Sequence, residues 1–331
     1  MMEDVPVTVI SGYLGAGKST LVRRILSEEH GMKVLVVENE IGEEMGIEGA
    51  LVTEGLDRSS VTEFVELPNG CVCCTVKDEL TDSLSRVVKM KKFDLVVIEM
   101  SGLADPGPVA SLFWIDEELE LGLRLDGVIC LVDARHAGRH LGDPIFMKQV
   151  ALADLVIVNK VDLASEDEIC SLEKDLAALV SPTSRMQRTS MSVCDLREAL
   201  HLKTMRNDEV CTALAMGRRE DLEEGHSHPE GVGSVTLRFT EKAVGFSSDE
   251  LTRQLGKLVW EQPAGEVWRL KAMVCVGEAR ERWIFQGVHE LFDGEQYGSW
   301  DVDKPVVSSF IFIGKNLNRD LLMEHLNASL I

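Results

Sequence analysis

Val5-Pro6-Val7-Thr8-Val9-Ile10-Ser11-Gly12-Tyr13-Leu14-Gly15-Ala16-Gly17-Lys18-Ser19 is an apolar run that breaks into a glycine-rich loop. Val5 to Ile10 reads as a strand, and Gly12 to Ser19 has the spacing G-x-x-x-x-G-K-S. Glycines at these places let backbone N–H groups turn inward around phosphate oxygens with no Cβ in the way. Lys18 reaches the β and γ phosphates, Ser19 holds Mg²⁺, and the helix that follows adds its dipole. Gly12, Gly15, Ala16, Gly17, Lys18, Ser19 and Thr20 are therefore the candidate phosphate contacts.

Working outward, the first 200 residues alternate short apolar runs with helical patterns. The strand candidates are Val7–Ile10, Lys33–Val37, Phe64–Leu67, Leu95–Ile98, Val128–Val132 and Leu155–Val158. They are β-branched and nearly continuous in hydrophobicity, as parallel strands buried on both faces must be. Ser19–Glu29, Asp78–Lys89 and Glu166–Leu179 are helix candidates between them. The rhythm predicts an α/β domain over 1–204 with a mainly parallel, doubly wound sheet and its ligand at the carboxyl ends of the strands. A polar segment, 205–232, reads as a linker. Over 233–331, strands Ser234–Phe239, Val267–Val276, Arg282–Val288 and Val306–Ile313, with helices Ser248–Val259 and Arg319–Leu326, predict a small α+β domain.

Three further motifs fall at strand ends. Asp94-Leu95-Val96-Val97-Ile98-Glu99-Met100-Ser101-Gly102 is an apolar strand delivering a carboxylate and then a glycine. Glu99 organises the Mg²⁺ water shell and the Gly102 N–H senses a γ-phosphate. Asn159-Lys160-Val161-Asp162 is a guanine-reading motif: Asp162 accepts from both N1–H and N2–H₂, a donor pair adenine does not offer. Cys71, Cys73 and Cys74, after Pro68-Asn69-Gly70, can converge as thiolates on one Zn²⁺ and leave a fourth position open. Glu40, Glu43, a water or a partner's ligand are candidates for that position. His226-Ser227-His228 reads as a solvated loop.

Composition bounds the rest. The chain has 331 residues, 45% of them hydrophobic, and a net charge of −22 from 56 acidic and 34 basic residues. Such a surface repels phosphate backbones and anionic membranes, which argues against nucleic acid and membrane partners. No apolar stretch reaches membrane-spanning length, and no secretory signal precedes the first strand. Eight cysteines in such a chain imply reduced thiols in the cytosol or nucleus. Cys130, Cys170, Cys194, Cys211 and Cys275 are scattered and read as small packing residues.

With these residues in hand the chain resembles the CobW-type metallochaperone GTPases, specifically the zinc-regulated GTPase metalloprotein activators. The matching segments are Gly12–Ser19, Asn39-Glu40 with Gly42-Glu43, Gly70-Cys71-Val72-Cys73-Cys74, Glu99 with Gly102-Leu103-Ala104-Asp105-Pro106, and Asn159–Asp162. Gln286-Gly287-Val288-His289-Glu290 and Ile313-Gly314-Lys315-Asn316-Leu317 match near the end. The resemblance implies a P-loop GTPase domain followed by a CobW C-terminal domain. It implies GTP, Mg²⁺ and Zn²⁺ as ligands, catalytic roles for Lys18 and Glu99, and base contacts from Asn159, Lys160 and Asp162. It also implies a metal on the thiols of Cys71, Cys73 and Cys74, beside the nucleotide, delivered to the apo form of a client metalloenzyme, with Glu40 kept as the candidate further ligand. The chain departs from relatives in keeping only His226 and His228 of a histidine-rich linker, in lacking an N-terminal cysteine-containing docking motif, and in carrying Ala272 after Lys271.

The resulting expectation is a slow GTPase, since no residue evidently orients the attacking water, that couples its cycle to metal loading and release. Zinc capture by thiols releases protons, so loading weakens as pH falls. A zinc sensor or buffer without delivery, and a P-loop small-molecule kinase, are the competing readings. The client, the metal among zinc, cobalt and copper, and the oligomeric state are left open by sequence.

Overall fold

A computed structural model describes residues 5–38, 64–66, 93–113, 122–202, 231–240, 245–277, 279–300 and 306–331. The expected helix Asp78–Lys89, most of the expected linker, Glu40, Glu43, Cys71, Cys73, Cys74, Cys211, His226 and His228 lie outside the described residues.

The first sheet has seven strands in the order β3-β2-β4-β1-β5-β6-β7. These are β1 (Val5–Gly12), β2 (Val34–Glu38), β3 (Phe64–Glu66), β4 (Leu95–Glu99), β5 (Leu123–Asp133), β6 (Leu155–Asn159) and β7 (Arg185–Arg188). Every pairing is parallel. The chain runs outward from β1 to β2 and β3, returns through β4 beside β1, then crosses to the other side with β5, β6 and β7. Reversal at the central strand opens a crevice above β1, where open α/β sheets bind ligands.

Alternation along each strand divides the buried side chains between two faces. Val7, Val9, Leu35, Val37, Val96 and Ile98 pack on one face with Val109 and Ala110 of α2 (Gly107–Leu112). Ile10, Val34, Val36, Leu95, Val97, Ile129 and Leu131 pack on the other, against Leu21, Val22 and Ile25 of α1 (Lys18–Ser27). This is the both-faces burial that the continuous apolar runs require. Three more helices follow: α3 (Pro144–Ala151), α4 (Glu166–Leu179) and α5 (Leu196–Ala199). Strand β7 was not expected. Its sequence, Arg-Met-Gln-Arg, carries no apolar run, because an edge strand has one neighbour and partly solvated faces.

The second sheet is five-stranded and antiparallel, in the order β11-β10-β9-β12-β8. Its strands are β8 (Val232–Phe239), β9 (Glu266–Val276), β10 (Glu281–Val288), β11 (Leu291–Ser299) and β12 (Ser308–Lys315). Leu251, Leu255 and Leu258 of α6 (Ser248–Trp260) and Leu322 and Leu326 of α7 (Arg319–Asn327) cover one face over Leu270, Ala272, Val274, Phe310 and Phe312. Edge strand β11 was also missed by sequence; none of its residues is buried. The expected strand at Val306 starts two residues later, at Ser308.

The chain divides into two compact units: Met1–Gln149, Ala153–Leu172 and Arg185–Lys203, and then Val150–Leu152, Glu173–Ser184 and Thr204–Ile331. Among the described residues no helix is long and apolar enough to cross a membrane.

Candidate functional site

β1 delivers the chain into a loop that only a glycine-rich sequence can trace. Gly12, Gly15 and Gly17 have φ of +138°, +72° and +109°. The Ala16 N–H donates to the Tyr13 carbonyl at 3.2 Å, closing the turn. Helix α1 starts at Lys18, and its first described backbone bond runs from the Leu21 N–H to the Gly17 carbonyl at 3.1 Å. The N–H groups of Lys18, Ser19 and Thr20 belong to that first turn, which has no helical acceptors for them and suits an anion. Lys18 folds back over the loop, its Nζ donating to the carbonyls of Gly12 at 2.8 Å and Tyr13 at 3.3 Å.

β4 brings Glu99 to the same place from its own carboxyl end. Ser19 Oγ donates to Glu99 Oε1 at 3.0 Å, and Glu99 is buried. Two hard oxygen ligands side by side at the mouth of a phosphate loop fit Mg²⁺, which binds through few protein oxygens and the substrate's phosphates. Beyond Glu99 the chain turns at Gly102, and here a side chain is sterically barred. A Cβ at Gly102 would lie 2.6 Å from Leu14 Cδ2 and 2.9 Å from the Leu14 Cα and N. The loop after β4 therefore rests directly on the backbone of the phosphate loop.

The base-reading motif follows β6. Asn159 is 2% exposed and uses its whole side chain internally. Its Nδ2 donates to the Ala16 carbonyl at 2.9 Å and to Ser192 Oγ at 3.1 Å. Its Oδ1 accepts from Thr189 Oγ1 at 3.0 Å and from the Ser192 N–H at 2.9 Å. A Cβ on Gly17 would collide with that amide. Asn159 thus ties the phosphate loop to β6 and to the loop after β7, while Asp162 lies exposed in the short turn Val161–Leu163.

Lys160 takes a left-handed φ of +61° and donates to Asp133 Oδ2, at the end of β5, at 2.8 Å. Burial pushes the Asp133 carboxyl up. Hydrogen bonds from Lys160, His136 and the Arg135 N–H, with the Lys160 charge, outweigh burial and hold it below the ordinary carboxylate range.

The structure thus brings Gly12, Gly15, Ala16, Gly17, Lys18, Ser19, Thr20, Glu99, Gly102 and Asn159 around one loop, with Lys160 and Asp162 beyond Asn159. Sequence reading missed two neighbours. The first is Thr189–Val193, where Met191 and Ser192 both have positive φ and Ser192 Oγ also donates to the Gly17 carbonyl at 3.2 Å. Its one signal is a run of small polar residues after a weak strand. The second is Tyr13 and its partners: the ring stacks on His140 with centroids 4.3 Å apart, and the hydroxyl donates to Asp143 Oδ2 at 3.0 Å. Among the cysteines, Cys130 is buried in β5, and burial pushes its thiol up to about 12, so it is an inert packing group.

Residues 6–186 match the CobW/HypB/UreG nucleotide-binding domain, and residues 232–330 match the cobalamin synthesis protein cobW C-terminal domain. The chain is 33% identical to the zinc chaperone YjiA of Escherichia coli, covering 96% of both chains. It is 30% identical to the zinc-regulated GTPase metalloprotein activator 1 of Schizosaccharomyces pombe, covering 96% of this chain and 84% of that one. The crystal structure of Zn(II)-bound YjiA GTPase from E. coli superposes with a TM-score of 0.71 at 27% identity, over 99% of each chain.

Proposed function

The chain belongs to the CobW/HypB/UreG nucleotide-binding family and is a GTPase, and from that premise we propose that it spends GTP to load zinc into a client metalloenzyme. Zinc is the cargo, held by the thiolates of Cys71, Cys73 and Cys74 with Glu40 as a further ligand. Two relatives covered over most of their length are named for zinc, and the YjiA structure of like fold is Zn(II)-bound.

The observation that carries the nucleotide half is the packing of three separate motifs on one loop: Glu99 on Ser19, Gly102 on Leu14, and Asn159 on Ala16. The N–H groups of the loop and of the first turn of α1 receive the phosphates. Lys18 exchanges its carbonyl partners for β- and γ-phosphate oxygens, neutralising charge that grows in the transition state. Ser19 and Glu99 would hold Mg²⁺, which would supply further neutralisation of phosphate charge. Gly102 presents its N–H to the γ-phosphate, so its loop distinguishes GTP from GDP, and Asp162 selects guanine. Cargo transfer follows only if the two nucleotide states bind zinc with different affinity, because equal affinity moves no metal.

The test is a zinc competition titration against a chromophoric chelator, with thiols reduced and Mg²⁺ present, in GDP and then in a non-hydrolysable GTP analogue. Wild type should show a nucleotide-dependent affinity that collapses in Cys73→Ser. Equal zinc affinity in both nucleotides sinks coupled delivery. Nucleotide-dependent affinity with no GTP-dependent reactivation of an apo-enzyme favours a zinc sensor instead.

A further inference from the structure

The Lys148-Gln149 pair carries chemistry that neither the phosphate loop nor the base motif accounts for. Gln149 is fully buried near the end of α3, between Lys148 and Val150. Its Nε2 donates to the carbonyls of Gly102 at 3.1 Å and Ala104 at 2.9 Å. The amide orientation is dictated by these two acceptors, since the flipped form would set oxygen against oxygen. Beside it, Lys148 Nζ pairs with Asp105 Oδ2 at 3.0 Å, and Asp105 Oδ1 accepts the Gly107 N–H at 2.9 Å. Three residues of the loop after Glu99, namely Gly102, Ala104 and Asp105, are therefore gripped from one helix.

The other end of α3 grips the phosphate loop. Asp143 Oδ1 caps the helix by accepting the N–H groups of Ile145 at 2.8 Å and Phe146 at 3.1 Å. Its Oδ2 accepts the Tyr13 hydroxyl, and Phe146 packs edge-on to the Tyr13 ring with centroids 6.1 Å apart. Asp143 and Gln149 are six residues apart, so about 9 Å of rigid helix separates the two grips. Gly102 is thus held from two sides: its Cα rests on Leu14, and its carbonyl hangs from Gln149.

We propose that Gln149 is a positioning residue for GTP hydrolysis, and α3 the brace that sets the Gly102 loop at a fixed distance from the phosphate loop. A γ-phosphate then meets an N–H already in place, which raises the affinity of the GTP state and the rate of the chemical step. GDP does not reach that loop, so its affinity owes nothing to the brace. The inference rests on the reading that Gly102 senses the γ-phosphate.

The experiment compares wild type with Gln149→Met, which keeps the volume and removes the donor, and Gln149→Glu, which sets charge against two carbonyls. Tyr13→Phe, which removes a single hydrogen bond at the half-buried far end of α3, is the gentler variant should both lose the fold. Affinities for GDP and for a non-hydrolysable GTP analogue are measured with Mg²⁺, alongside amide hydrogen exchange of the 101–106 segment in each nucleotide. In wild type the analogue should protect 101–106 more than GDP does. In Gln149→Met that extra protection should vanish and the analogue-to-GDP preference fall by about tenfold, with GDP affinity held within twofold. Gln149→Glu should fall further and Tyr13→Phe less. Retained preference and protection in the variants overturns the brace. An equal loss of both nucleotides makes Gln149 merely structural and also overturns it. No extra protection in wild type overturns the sensing role of Gly102 itself, a different failure seen before any variant is read.

Discussion

Replacing Asn159 by alanine should cost stability and all nucleotide binding, where a residue that only read the base would cost selectivity. Four hydrogen bonds converge on its side chain, from or to Ala16, Thr189 and Ser192. At about 1 kcal/mol net for each, their sum approaches 4 kcal/mol. The hydroxyls of Thr189 and Ser192 can rotate to other acceptors, whereas the Ala16 carbonyl and the Ser192 N–H cannot, which brings the expected loss to about 2–4 kcal/mol. For a domain of this size that is a fall in Tm of about 5–15 °C.

The assay is thermal unfolding followed by circular dichroism, paired with binding of fluorescent guanine, inosine and adenine diphosphates. Asn159→Ala should weaken all three, because the slackened element is the phosphate loop at Ala16 and Gly17. Asp162→Ala is the control: the residue is exposed, so its Tm should move by less than about 2 °C. Its preference for guanine over adenine should fall by at least about a hundredfold. A Tm for Asn159→Ala within about 2 °C of wild type, with binding retained and only base preference altered, would refute the assignment of this side chain to the scaffold.

Three further outcomes follow from the described contacts. Gly102→Ala should slow single-turnover GTP hydrolysis at least about tenfold, because its Cβ drives Leu14 and the phosphate loop aside; an unchanged rate would remove the close approach from the mechanism. Ser247 Oγ accepts the Glu250 N–H at the start of α6, so Ser247→Ala should cost about 1 kcal/mol in urea unfolding of the C-terminal domain, and no measurable change would count against the cap. Because Asp133 titrates below its ordinary value in the folded protein, its contribution is complete above about pH 4 and is lost as pH falls through the lowered value. Asp133→Asn should accordingly flatten the acid limb of the stability profile below about pH 4, and superposable profiles would contradict the pairing with Lys160.

The strands β1, β2, β4, β5 and β6 were legible because a buried parallel strand needs apolar residues on both faces, and that demand is written locally. The phosphate loop, Glu99 and Asp162 were legible for a similar reason. Each lies within a few residues of a strand end, so local spacing was enough to single it out as a candidate. β7 and β11 lie at sheet edges and bury no residue, so the pattern that reading depends on is missing, whereas edge strand β8 keeps buried positions and was legible.

Residues that act across long separations left no such local mark. Asn159 carries a motif's letter, yet its task is decided by Ala16, 143 positions away, and by Ser192, 33 positions on. Gln149 looks like an ordinary polar residue beside Lys148 until its amide is found on Gly102, 47 positions back. Tyr13 sits at a variable place in its loop, and only Asp143, 130 positions away, gives its hydroxyl a role. Sequence by itself determined the parallel α/β strands and which residues are candidates for phosphate, magnesium and guanine, because burial and those ligands select residue types directly. Tertiary structure alone decided which polar side chains hold the loops in place, because a hydrogen-bond partner is chosen by the fold's closure and not by any neighbour in the chain.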